Sequence, residues 1–115
     1  MLSFREKSSY DGMKNAIKTR LTYNIDPVFL LSVDEWLSIA RKPSFIKENE
    51  AFDFSYFVKN EKNAIKANDG IREFIYYGNS NNADNVPPDE FLWLVSHCRK
   101  LKTTSFHGVA FGVIF

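Results

Sequence analysis

Cysteine is almost missing from this 115-residue chain: Cys98 stands alone, so no internal disulfide can form and a reducing compartment is expected. Histidine is nearly as scarce, with His97 and His107 fitting neither a His-Glu-x-x-His pair nor a zinc-finger spacing. There is no Gly-rich phosphate loop, no Gly-x-Ser-x-Gly elbow and no apolar run of the roughly 18 residues a membrane span needs. The opening Met1-Leu2-Ser3-Phe4-Arg5-Glu6-Lys7 lacks the apolar core of a signal peptide. Charge of one sign is missing too. A formal net charge of +1 excludes a global field that would recruit nucleic acid or an anionic membrane. These absences predict a cytoplasmic protein without cofactor, metal or membrane partner.

What the chain has is apolar and aromatic mass. Hydrophobic residues make up 44% of it, enough for one α+β domain over 1–115 with a real core. Residues 1–24 hold five Lys/Arg against two Asp/Glu, whereas residues 25–58 hold three against six, so a basic opening meets an acidic middle.

Periodicity places the elements. Tyr10, Met13, Ile17 and Leu21 share a stripe and predict a helix over 9–22. Asp26-Pro27 interrupts, and Val28–Leu31 reads as a short extended or buried connection. Ser32 with Glu35 three residues on is a capping box that opens a helix over 33–42, with Trp36 on its core face. Residues 51–59 alternate as Phe52, Phe54, Tyr56, Val58 against Asp53, Ser55, Phe57, Lys59, a strand with one buried and one mostly polar face. Residues 60–70 suit either a hairpin arm or a short helix. Ile71–Tyr77 reads as a strand beside another strand, and 78–88 as a long polar loop.

Pro87-Pro88-Asp89-Glu90 opens a helix over 88–101 whose stripe is Phe91, Leu94, Val95, Cys98 and Leu101. The closing Ser105–Phe115 alternates bulky Val109, Phe111, Val113 and Phe115 with Gly108, Ala110 and Gly112. It predicts an interior strand whose smooth side receives the preceding helix. The expected fold is a single antiparallel or mixed sheet of three to five strands (51–59, 71–77, 105–115, with 28–31 or 64–67 at an edge) covered by about three helices.

Function is reached by elimination. His97 and His107 at the two ends of one turn admit a metal-independent ribonuclease, and Tyr56, Tyr76 and Tyr77 admit base stacking in a weak nucleic-acid module. Neither builds a phosphate pocket. A non-enzymatic protein-binding domain needs no catalytic signature, and a stoichiometric inhibitor such as a bacterial toxin-neutralising immunity protein fits a small domain with segregated charge. Its expected contact surface is Asn82 and Asp84 in the polar loop with Trp93, His97 and Lys100, extended by Asp34, Glu48 and Glu50.

Overall fold

The computed structural model describes residues 1–59, 70–78 and 86–115, and the chain divides into two packing units, Met1–Ser32 and Val33–Phe115. In the first, strand β1 (Leu2–Phe4) leads through helix α1 (Lys7–Met13) to strand β2 (Leu21–Tyr23), and the two strands pair in parallel, Leu2 opposite Leu21. The helix expected over 9–22 is therefore half a helix. Its stripe fits a helix as far as Met13, but Leu21 is taken by β1, because a parallel pair needs a crossover and a second strand. The segment at 28–31, expected as a short extended or buried connection, opens within a 3-10 turn, Pro27–Phe29, that buries Val28. Pro27 presets φ at its first position, and the Asp26 carboxylate caps it by accepting from the Val28 amide at 3.0 Å.

The second unit begins with helix α2 (Val33–Ile39), within the 33–42 expected. Strands β3 (Phe52–Phe57) and β4 (Arg72–Tyr77) follow, also where the alternation put them. Helix α3 (Pro88–His97) stops at Cys98, and strand β5 (Lys100–Thr103) takes the residues expected to finish that helix. The closing segment is a helix, α4 (Phe106–Ile114), and not a strand. The expected sheet is thereby corrected: β5 replaces 105–115, the order is β4-β3-β5, and every pairing is parallel rather than antiparallel or mixed. Four α-helices are present among the described residues instead of three. The possible edge strand at 64–67 lies outside the described residues.

The glycines explain how the ends of this unit meet. A Cβ on Gly108 would stand 2.4 Å from Thr103 Oγ1, and one on Gly112 would stand 2.8 Å from a Leu101 methyl. Close approach across a smooth surface is thus present, but with the roles exchanged. The smooth surface belongs to α4, with Gly108 and Gly112 at i and i+4, and it lies on β5.

Centrality in the sheet also changes the reading of β3. Phe52, Phe54 and Tyr56 face the rings of Phe74, Tyr76, Phe91 and Trp93, with centroids 5.0 to 6.1 Å apart. The opposite face was expected in solvent, yet Asp53 is 1% and Ser55 0% exposed. Its polar groups are matched instead. Asp53 takes a two-point contact from Arg99, Nε to Oδ1 at 2.9 Å and Nη2 to Oδ2 at 3.0 Å. Glu73 Oε1 accepts from Ser55 Oγ at 2.6 Å and from Lys102 Nζ at 3.0 Å. Burial of such groups is tolerated only with partners of this kind.

Candidate active site

Parallel strands point all their carboxyl ends the same way, and in this unit those ends converge on α4. From β3 the chain goes to one neighbour, β4, and then returns past β3 to the other, β5, so the strand order reverses at β3. In open parallel sheets, ligands bind beyond the carboxyl ends of the strands at such a reversal. The ends are fastened together there. Thr104 N donates to Tyr56 O at 3.3 Å, Val58 N donates to Thr104 Oγ1 at 3.1 Å, and Gly78 N donates to Phe57 O at 2.8 Å.

A cavity of about 470 Å3 opens at this edge, a size that accepts small organic ligands. Its polar lining comes from Tyr56 at the end of β3, Asp89 in the first turn of α3, and Ser105 and His107 at the mouth of α4. Trp36 and Ile39 of α2, with Phe91 and Phe111, supply much of the apolar lining. The rings brace one another: Trp36 stands edge-on to Phe111 at 5.0 Å, Tyr56 lies 5.0 Å from Phe91, and Phe91 lies 6.3 Å from Phe111.

The turn from β5 into α4 is set by hydroxyls. Ser105 N donates to Thr103 Oγ1 at 3.0 Å, and Ser105 Oγ caps the helix by accepting from Gly108 N at 3.4 Å. This places Phe106 and His107 in the first turn of α4, where the helix dipole favours an anion. Asp89 is committed elsewhere. Arg41 Nε donates to its Oδ2 at 2.7 Å, and that bond, with the nearby guanidinium charge, lowers the Asp89 carboxyl below the usual range. Arg41 also reaches Glu90 at 3.1 Å, and its backbone amide donates to Asp89 O, so the segment after α2 is tied to the first turn of α3. Asp89 is therefore a fixed negative wall, and His107 is the group in the cavity suited to moving a proton.

The residues singled out from sequence scatter. Trp93 is half-buried and stacks between Phe52, 5.9 Å away, and His97, 4.2 Å away. His97 Nδ1 lies 3.0 Å from Trp93 O at the end of α3, before β5 begins, whereas His107 lies beyond the end of that strand. Strand β5 stands between the two, and only His107 lines the cavity, so the structure does not gather them as an acid and base pair. Lys100 starts β5 at the amino edge of the sheet, remote from the cavity lining. Asp34 sits in the first turn of α2, Glu48 pairs with Lys42 at 3.3 Å in solvent, and Glu50 pairs with Arg72 at 3.2 Å. Asn82 and Asp84 lie outside the described residues. Of the emphasised residues, the cavity gathers His107, considered as one half of a ribonuclease pair, Tyr56, considered for base stacking, and Trp36, taken as core. Ser105 went unnoticed as a site residue. The signal for it was Thr103-Thr104-Ser105, a run of hydroxyls suited to a strand-to-helix turn, which an all-strand reading of the closing segment conceals. Among the described residues no three His, Cys, Asp or Glu side chains converge, and no helix is long and apolar enough to cross a membrane.

Comparison with known proteins bears on the family of the chain. The family model of the polysaccharide pyruvyl transferases matches residues 1–115. No curated protein and no solved structure matches the chain. The match overturns the inhibitor expected from elimination, along with the ribonuclease and nucleic-acid alternatives and the expectation that catalysis is absent. Elimination failed because it relied on short catalytic motifs, and the chain carries none of those sought. A family match over the full sequence, together with a cavity at the reversal point of a parallel sheet, leads to one conclusion: this chain belongs to the polysaccharide pyruvyl transferase family.

Proposed function

We propose that the chain carries the catalytic cavity of an enzyme that transfers a pyruvyl group to a saccharide, with His107 as the proton-transferring residue. The observation that carries this is the position of His107 on the first turn of α4, inside the cavity at the carboxyl ends of β3 and β5. A pyruvyl group brings a carboxylate with it. The first-turn amides of α4 and the Ser105 hydroxyl suit that anion, while Asp89 on the other side discourages it from lying elsewhere.

The transfer itself needs a hydroxyl made nucleophilic. A saccharide oxygen forms a bond to the central carbon of the pyruvyl group as the bond from that carbon to the donor's leaving group breaks. The leaving group departs with the electron pair. The hydroxyl proton passes to the imidazole of His107, which later returns it to solvent or to the leaving group.

The test uses the full chain, an enol ester of pyruvate as donor and oligosaccharide acceptors, with product followed by mass. His107→Gln keeps the size of the ring's polar edge without its basicity, and it should lower the transfer rate by about a hundredfold or more with unchanged thermal stability. Wild-type rates in that variant would remove His107 from the reaction.

A further inference from the structure

The phenol of Tyr56 lies in the cavity, and nothing among the described residues hydrogen-bonds its hydroxyl. Its ring is fixed. Phe91 lies 5.0 Å from it at a steep angle, Phe54 lies 6.4 Å away, and the residue is the last but one of the central strand β3. The oxygen is aimed past Gly78, where an added Cβ would stand 3.0 Å from it. A glycine at this point spares the hydroxyl the crowding that a side chain would bring.

The ring is half-buried and its hydroxyl has no protein partner among the described residues, so the O–H is available to a ligand in the cavity. We infer that Tyr56 is a specificity-determining residue whose hydroxyl binds a hydroxyl of the acceptor sugar, so that its ring anchors the acceptor half of the cavity. The inference rests on the transferase reading of the same cavity. A phenol both donates and accepts a hydrogen bond, as a sugar hydroxyl does, whereas an anionic donor group is better served by the amides and imidazole of α4. The apolar faces of Trp36 and Phe91 nearby match the C–H faces of a sugar ring.

The experiment measures transfer kinetics and, separately, equilibrium binding of glucose-, galactose- and mannose-containing oligosaccharides to the full chain. Tyr56→Phe removes one oxygen without altering the ring. It should raise the acceptor KM and weaken oligosaccharide binding by about three- to tenfold, the worth of one hydrogen bond, while the donor KM and the melting temperature stay as in wild type. Gly78→Ala should weaken the acceptor likewise by crowding the oxygen, and adding it to Tyr56→Phe should cost nothing further. His107→Gln should bind oligosaccharide as wild type does while losing transfer. Tyr56→Phe with wild-type acceptor KM and binding overturns this inference and leaves the transferase reading standing. A wild-type chain that binds none of these oligosaccharides overturns the inference as well, and one that in addition transfers no pyruvyl group overturns both.

Discussion

Two titratable side chains of the second unit show how burial sets the chemistry of single residues. Cys98 ends α3 with its Sγ 3.4 Å from Val95 O, and burial pushes its thiol up to about 11. The thiolate, which is the reactive form, is thus suppressed at ordinary pH. Iodoacetamide at mildly alkaline pH should label Cys98 slowly in the native chain and rapidly once urea unfolds it; equal rates would contradict the burial. Glu73 shows the opposite sign. The Ser55 hydroxyl and then the Lys102 ammonium lower its carboxyl below the usual range, against the desolvation that raises it. Its stabilising contribution is therefore present above the unfolded value of about 4.3 and is lost as pH falls through the lower folded value. Glu73→Gln should flatten the pH dependence of urea stability in that acid window and leave its slope near neutrality unchanged. A Glu73→Gln curve parallel to wild type throughout would show that the carboxylate is not linked to folding. Asp53 needs its partner more, because it is buried and both of its oxygens are engaged by Arg99, whose own side chain is part-exposed. Removing Arg99 leaves a buried carboxylate without that guanidinium and should lower stability by about 1 to 3 kcal/mol.

At the level of elements, α4 and β5 are joined by the absence of side chains. Gly108→Ala gains about 1 kcal/mol of helix propensity but places a methyl against Thr103. Thr103 cannot turn away easily, since its Oγ1 accepts from Ser105 N and its branched side chain is stiff. Overpacking costs of about 1 to 3 kcal/mol then prevail, and the variant should unfold at lower urea. Gly112→Ala meets only the tip of a flexible leucine, so its propensity gain should survive and its midpoint should match or exceed wild type. Reversed outcomes would mean α4 does not lie on β5 as described. The same helix shows what sequence could and could not convey. Phe52–Phe57 and Arg72–Tyr77 were legible because alternation over six residues has one explanation. Phe106–Ile114 was not, because Gly108, Ala110 and Gly112 repeat at two while Gly108 and Gly112 also repeat at four. Lys100–Thr103 is too short to announce itself, and taking it into the preceding helix also hid the turn that carries His107. Tyr56 was legible as a strand residue on an aromatic face. Its place in a cavity was not, since that depends on which way its neighbours run.

For the molecule as a whole, the two units differ in what holds them. Val33–Phe115 owns nearly all the buried apolar residues, among them Phe52, Phe54, Leu94 and Phe111, and the cavity lies wholly within it. Met1–Ser32 buries only Val28 of its hydrophobic residues, and its salt bridge from Arg5 to Asp26 at 2.6 Å adds little apolar area. Chains below about 40 residues seldom fold unaided. A fragment spanning 33–115 should keep a cooperative thermal transition, whereas a peptide of 1–32 should lack strand signal by circular dichroism. Loss of cooperativity in the longer fragment would show that its core is not self-sufficient.

The sheet's middle strand also fixes a timetable. Glu73 reaches Ser55 across 18 positions of chain, but Arg99 reaches Asp53 across 46, so a polypeptide emerging from the ribosome must hold β3 one-sided until its second neighbour is made. Contacts of such long sequence separation slow the search for the native state. For that interval the carboxylate of Asp53 has no guanidinium, and the half-built sheet presents the unpaired edge that chaperones and aggregation both exploit.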